Sequence, residues 1–237
     1  MSSAAVIWHE VENGSYKADL PVWRELADAQ CGPILDLGAG TGRVAADLAA
    51  RGHEVVALDN DPDVLAALRK GAPEVTTVTA DVRDFELGVS FRLVLAPMQL
   101  VHILGGHDGR HAMLERVHAH LEPGGRFAAA LARPLDAIPG PDAAAPLPDM
   151  LERDGWVFSS QAVSVREQNG RVVVTRRRQA VSPAGDIDEE LVEVGLDLVG
   201  VEEFEAEARA AGLEADERRK IRETPDHIGS TVVVCRR

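Results

Sequence analysis

The chain has 237 residues, enough for one α/β domain with an elaboration and a sizeable core. Apolar residues make up 45% of it, which excludes a disordered chain, and no apolar run approaches the ~20 residues of a membrane span. The formal net charge of −14 repels polyanions, so nucleic acid is disfavoured as a partner and the basic clusters 176–178 and 218–220 read as solvated surface.

The N-terminus has no basic stretch and no long apolar one, so no signal peptide is expected and the location expected is cytoplasmic. Residues 1–29 read as an N-terminal helical lead, with a helix from Leu20 to Asp28. Two cysteines, Cys31 and Cys235, supply no metal framework and read as reduced, buried thiols.

Residues 30–135 carry the strongest signal. The run Ile34-Leu35-Asp36-Leu37 is apolar around one acid, and Gly38, Gly40 and Gly42 follow at alternate positions before a helical pattern begins. Glycines there allow a tight turn and let a ligand lie against bare backbone. A second strand, 54–59, ends in Asp59, and a carboxylate at that spacing suits a ribose diol. A helix from Pro62 to Lys70 follows, capped by Asp61 or Asn60, and a third strand, 75–80, leads to Asp81. The three acids are expected along one carboxyl edge of a parallel sheet, where open α/β sheets bind ligands. A fourth strand spans Phe91 to Ala96, and a helix from about Arg110 to His120 presents Met113, Leu114 and Val117 as core.

Residues 136–150 are rich in Pro and Ala and read as a loop. Residues 151–200 read as an antiparallel meander of three strands, 156–166, 171–181 and 190–199, with Asn169-Gly170 as a hairpin turn. Residues 201–237 supply a helix from Val201 to Ala211, ended by Gly212, and two strands, 213–222 and 230–236.

The segment from Asp36 to Gly42, with Asp59 and Asp81, resembles the class I S-adenosylmethionine-dependent methyltransferases of small-molecule type. The resemblance is close over 30–135 and includes the turn His120 to Phe127. It implies a Rossmann-like seven-stranded mixed sheet with helices on both faces, plus the inserted antiparallel β-meander lid. It implies S-adenosylmethionine as cofactor, with Gly38, Ala39, Gly40 and Gly42 under its methionine part and Asp36 near the amino group. Asp59 and Asn60 would then take the ribose, Asp81 and Val82 the adenine, and Ala96 and Pro97 the methionine amino group. The lead 1–29 would close the site, and Tyr16 would touch the cofactor carboxylate or the acceptor. A nicotinamide dinucleotide fits less well, because its fingerprint spaces the glycines G-x-G-x-x-G.

Methyl transfer needs alignment, exclusion of water and, for a neutral acceptor, removal of a proton. The acceptor is expected beside Met98, Gln99 and His102, with His102 as candidate general base. His107 and His111 lack a third ligand and read as surface, so no metal is expected. Ala96-Pro97-Met98-Gln99 stands where base and amide methylating enzymes carry Asn/Asp-Pro-Pro-aromatic, so a small acceptor is favoured. A macromolecular acceptor, tRNA or protein, and a non-catalytic cofactor-binding module are the alternatives, and a homodimer is left open.

Overall fold

The computed structural model describes residues 3–137, 146–224 and 227–237. The chain opens with two helices. The first, α1 (Ala4–Asn13), is capped by Ser3, whose hydroxyl accepts from the Val6 amide at 3.5 Å. It lies inside the 1–29 lead but was not expected as a helix. The second, α2 (Leu20–Asp28), carries Pro21 in its first turn, where no amide partner is lost.

A Rossmann-like alternation follows. It comprises β1 (Ile34–Leu37), α3 (Arg43–Ala50), β2 (Val55–Asp59), α4 (Pro62–Gly71), β3 (Thr76–Thr79), β4 (Phe91–Ala96), α5 (His107–His120) and β5 (Leu121–Ala132). Asp61 caps α4 by accepting from the Asp63 amide at 2.8 Å. Asp63 in the first turn, with Arg69 and Lys70 in the last, complements the helix dipole.

A separate sheet is then built from β6 (Asp149–Arg153), β7 (Trp156–Gln168), β8 (Arg171–Val181) and β9 (Ile187–Asp197), in that order and antiparallel throughout. The chain closes with α6 (Val201–Ala210), β10 (Glu214–Ala215), β11 (Arg219–Ile221) and β12 (Ser230–Arg236). The large sheet runs β10-β12-β5-β4-β1-β2-β3, with β11 sharing the edge position beside β12. The core strands are parallel and β12 runs antiparallel to β5.

The expected mixed sheet is therefore present, with one refinement and one correction. The strand expected at 213–222 is broken into β10 and β11. The small sheet has four strands rather than three, because β6 begins within the segment expected as loop. Its turn, Asp154-Gly155, has φ of +52° and +77°, the same left-handed pair as Asn169-Gly170 at +53° and +72°. Of the Pro/Ala-rich segment, residues 138–145, including Pro139 and Pro141, lie outside the described residues, as do Pro225 and Asp226.

Alternation along β1 feeds two cores. Ile34 packs with Trp23, Leu26, Leu48, Leu65 and Leu93 on one face. Leu35 and Leu37 pack with Phe91, Leu114, Phe127 and Phe204 on the other. Asp36 shares the Ile34 face, so its carboxylate is carried into the first core. Cys235 is buried, which pushes its thiol up to about 12, whereas Cys31 is exposed, contrary to expectation. No described helix is long and apolar enough to cross a membrane.

Candidate cofactor and acceptor site

The loop between β1 and α3 turns on three glycines with φ of +64°, +55° and +89° at Gly38, Gly40 and Gly42. Side chains are excluded there by contact as well as by conformation. A Cβ on Gly40 would lie 2.0 Å from His9 Nε2, and one on Gly42 would lie 2.1 Å from Leu68 Cδ1. The Ala39 amide donates to the Leu58 carbonyl at 3.0 Å, which ties the loop to β2.

The three acids have three different environments. Asp36 is not at a strand tip; it sits inside β1, paired with Ala57 and Leu95, and is 1% exposed. Burial raises its carboxyl to about 7 against the pull of Arg43 and the Ala45 amide. Its Oδ1 has no hydrogen-bond partner among the described residues. A buried acceptor without a donor costs free energy, and a ligand ammonium would supply the donor.

Asp59 ends β2. Its Oδ2 accepts from the Gly40 amide at 2.8 Å and its Oδ1 from the Asp61 amide at 2.9 Å. The carboxylate thereby fixes the loop and keeps lone pairs for a diol. Asn60 beside it is exposed. Asp81 lies two residues past β3 and is clasped by Arg83, whose Nη2 donates at 2.6 Å and Nε at 2.9 Å. Arg83 holds the Asp81 carboxyl below its ordinary range. This pair is solvent-exposed, so it is weak enough to yield to a competing donor. Val82 is buried next to it.

A small cavity of about 40 Å³ lies between α1 and the loop, with His9, Asn13, Asp36, Gly38, Arg43 and Met98 on its wall and Ala39 and Pro97 beside them. Of the residues anticipated as methionine contacts, Asp36, Gly38, Ala39 and Pro97 line this cavity, whereas Gly40, Gly42 and Tyr16 do not, and Ala96 is buried in β4. Met98 holds φ of +56°, an uncommon state for a side-chain-bearing residue and one found at ligand clamps. Gln99 is exposed. Tyr16 is buried in the first core and stacks on His227 with ring centroids 4.4 Å apart, under the Arg43 guanidinium.

His9, Asn13 and Arg43 were not singled out from the sequence. His9 Nδ1 lies 3.1 Å from Thr41 Oγ1, and burial lowers its pKa. Arg43 is anchored by Asp19, at 2.5 and 2.7 Å, and Asp19 also accepts from Trp23 Nε1 at 2.8 Å. The Ser3 cap was a signal for α1; nothing local announces the Arg43–Asp19 pair.

His102 sits in a 3₁₀ turn, Leu100–His102, and is fully buried, off the wall of the small cavity. Its Nδ1 faces the Asp197 carbonyl at 2.9 Å. A carbonyl only accepts, so Nδ1 carries the proton and Nε2 carries a lone pair, which has no partner among the described residues. Burial lowers the pKa of the ring, which favours this neutral form. Asp197 closes β9 and also takes the Gly106 amide at 2.6 Å and Arg171 Nε at 2.8 Å. The small sheet is thereby fastened beside His102. Rings of His107 and His111 stack 6.0 Å apart on α5, and no metal-holding cluster occurs among the described residues.

Residues 34–125 match the family model described as a methyltransferase domain. A dTDP-3-amino-3,6-dideoxy-alpha-D-glucopyranose N,N-dimethyltransferase of Streptomyces fradiae is 32% identical over 108 residues, 46% of this chain and 42% of that protein. A trans-aconitate 2-methyltransferase of Acidovorax sp. strain JS42 is 36% identical over 105 residues, 44% of this chain and 39% of that one. The matches span about half or less of the length of these curated relatives. Among solved structures, SAM-bound CalS10, an amino pentose methyltransferase from Micromonospora echinaspora, aligns with a TM-score of 0.74 at 24% identity, over 98% of this chain and 96% of that one. DesVI of Streptomyces venezuelae aligns with a TM-score of 0.73 at 22% identity, over 96% and 94%. The chain has the Rossmann-like fold of these methyltransferases, and its residues 34–125 are similar to the methyltransferase-domain family.

Proposed function

We propose that the protein is an S-adenosylmethionine-dependent methyltransferase acting on a small-molecule amine. The observation that carries this reading is the unpartnered Oδ1 of buried Asp36 beside a bare glycine turn braced by Asp59. These residues fit the cofactor: Asp36 for its ammonium, Gly38 and Ala39 for its methionine chain, Asp59 and Asn60 for its ribose, Asp81 and Val82 for its adenine. Pro97 and Met98 would face the methionine end, and Tyr16 closes that end by packing on Arg43. When bound, the cofactor would supply an electrophilic methyl group on a sulfonium for transfer to the acceptor nitrogen.

The chain's own work is alignment, dryness and one proton. The small cavity, of about 40 Å³, is too small for the methionine chain, so this reading requires His9 and α1 to give way to admit it. The nitrogen must attack as a free amine, and the proton it sheds needs an acceptor. His102 Nε2 is the base that this reading assigns, with Asp197 holding the opposite nitrogen. Met98 and Gln99 would border the acceptor. An amine is favoured because the Streptomyces fradiae relative is named for N,N-dimethylation of an amino sugar. The trans-aconitate relative is named for methylation of a different acceptor, which makes a carboxylate oxygen the second reading.

Methyl-labelled cofactor offered with a panel of amino sugars and polycarboxylates tests this. The expected result is label in an amine, with His102→Gln lowering kcat by 10²-fold or more and leaving cofactor affinity unchanged. Label in a carboxylate ester would move the reading to the second acceptor, and no transfer to any small molecule would end it.

A further inference from the structure

The buried ring of His102 is aimed by one hydrogen bond, from Nδ1 to the Asp197 carbonyl. That carbonyl belongs to the small sheet, 95 residues along the chain, so the ring follows wherever the end of β9 sits. The carboxylate of the same residue fixes that end. Its Oδ2 takes the Gly106 amide, at the start of α5, and its Oδ1 takes Arg171 Nε, at the start of β8. Three elements and the candidate base therefore meet on one residue.

Glycines make room for both donors. Gly105 and Gly106 hold φ of +87° and +88°, a backbone state that presents the Gly106 amide and that side chains rarely adopt. Gly195 has no such conformation, and it lies inside β9. A glycine in a strand marks close approach by another group. Here that group is the Arg171 guanidinium: a Cβ on Gly195 would lie 3.1 Å from Arg171 Cζ, and Arg171 Nη2 donates to the Gly195 carbonyl at 2.9 Å. Arg171 also stands opposite Asp197 in the β8–β9 register. The guanidinium thus grips β9 at two points, Gly195 and Asp197.

Asp197 is 7% exposed, so its charge depends on these donors rather than on water. Arg110, the other cation acting on Asp197 and His102, is committed to Glu207 at 2.6 and 2.7 Å. Without Arg171, one oxygen of a buried carboxylate loses its donor, and the end of β9 must shift to regain one. The carbonyl shifts with it. Which imidazole nitrogen carries the proton is set by the bond that the other makes. Released from the carbonyl, the ring is free to place its proton on Nε2, where a base needs a lone pair.

We infer that Arg171 is a positioning residue: through Asp197 it holds His102 in the tautomer whose Nε2 can accept a proton, so the base is ready only while β8 and β9 are seated beside the 3₁₀ turn. The use of that base rests on the methyltransferase reading, whereas the tautomer belongs to the folded chain and is measured without substrate.

Ring-nitrogen NMR of the isotope-labelled full chain tests it, with the His102 signals identified by their loss in His102→Gln. In the parent protein Nδ1 is expected to be protonated and Nε2 bare. Arg171→Ala should abolish that pattern and move the proton toward Nε2. Gly195→Ala, which pushes the guanidinium aside, should do the same in part, and Arg171→Lys, which returns a cation to Asp197, should restore it. A proton on Nε2 in the parent, or unchanged His102 signals in both alanine variants, would overturn the assignment. S-adenosylmethionine affinity, titrated alongside, should stay within about twofold in Arg171→Ala, because Arg171 is off the small cavity. A loss above about tenfold would mean that Arg171 serves the fold at large, and would also overturn it. If the cofactor binds and the ring does not respond, the positioning role alone falls; if the cofactor does not bind the parent, the methyltransferase reading falls while the spectra still decide the tautomer. Circular dichroism confirms that each variant is folded, and Gly195→Ala carries the test if Arg171→Ala is not.

Discussion

The glycine-loop half and the small sheet meet across α1 and are held in opposite ways. Around the loop the fixing donors are backbone amides: those of Gly40 and Asp61 on the Asp59 carboxylate, and that of Ala39 on the Leu58 carbonyl. Across α1 and the small sheet they are long charged side chains. Glu12 accepts from Arg178, at 2.8 and 3.0 Å, and from Ser160 at 2.8 Å. Glu10 pairs with Arg153, and Arg178 lies 5.2 Å over the Trp8 ring. Backbone contacts demand one geometry, whereas ionic side-chain contacts between half-buried groups can be broken and remade. The comparison teaches that directional amide bonds fix the loop and remakeable ionic pairs fix the seam, so the proposed reading places recognition in the first and access in the second.

The sharpest way to break that contrast is Asp59→Ala. It frees the Gly40 and Asp61 amides together and removes the proposed diol acceptor, so cofactor affinity should fall at least 100-fold, about 2.7 kcal/mol, by calorimetry. A loss under tenfold would show that the loop does not depend on this carboxylate.

Next in size is Gly42→Ala. It forces φ near +89° on a residue with a Cβ and presses on Leu68, so the chain should lose about 1–3 kcal/mol and several degrees in Tm. An unchanged melting curve would deny that the turn is sterically closed.

Asp36 gives a pH test of comparable size. Its folded pKa, about 7, is above the unfolded carboxylate value of 3.8. The folded chain therefore binds more protons between those values, and this group lowers stability as pH rises from about 4 to 7. The slope is at most about 1.4 kcal/mol per pH unit. Asp36→Asn should remove that component from denaturant curves recorded across the window; identical slopes in both proteins would contradict the buried, donor-poor site.

The smallest effect sharpens the other side of the comparison. Glu12→Ala leaves Arg178 and Arg176 without their shared carboxylate and should loosen the seam by about 1–2 kcal/mol. Hydrogen exchange should rise in α1, β7 and β8 and stay constant in β1, β2 and β4. Uniform acceleration across both halves would mean that the seam is not a separate unit.

The same difference decides what could be read from the chain. The loop, its acids and the parallel strands were legible because glycine spacing and strand-tip acids are local backbone chemistry. Asp36 was placed at a tip rather than inside β1 because one apolar residue, Leu37, still follows it in the strand. The Asn169-Gly170 turn was read, while Asp154-Gly155 carried the same signal beside a Pro-rich run that hid β6. Helix α1, with His9 over Gly40, went unseen because its partners lie far along the chain: Thr41 is 32 residues from His9, and Arg178 is 166 from Glu12. Such contacts exist only after folding, and residue type alone does not name the partner.

One measurement bears most directly on the central claim: parallel titration of the full chain with S-adenosylmethionine and with a nicotinamide dinucleotide. The account predicts saturable heat at micromolar S-adenosylmethionine and none from the dinucleotide. Silence with S-adenosylmethionine at millimolar concentration, or binding of the dinucleotide in its place, would contradict it.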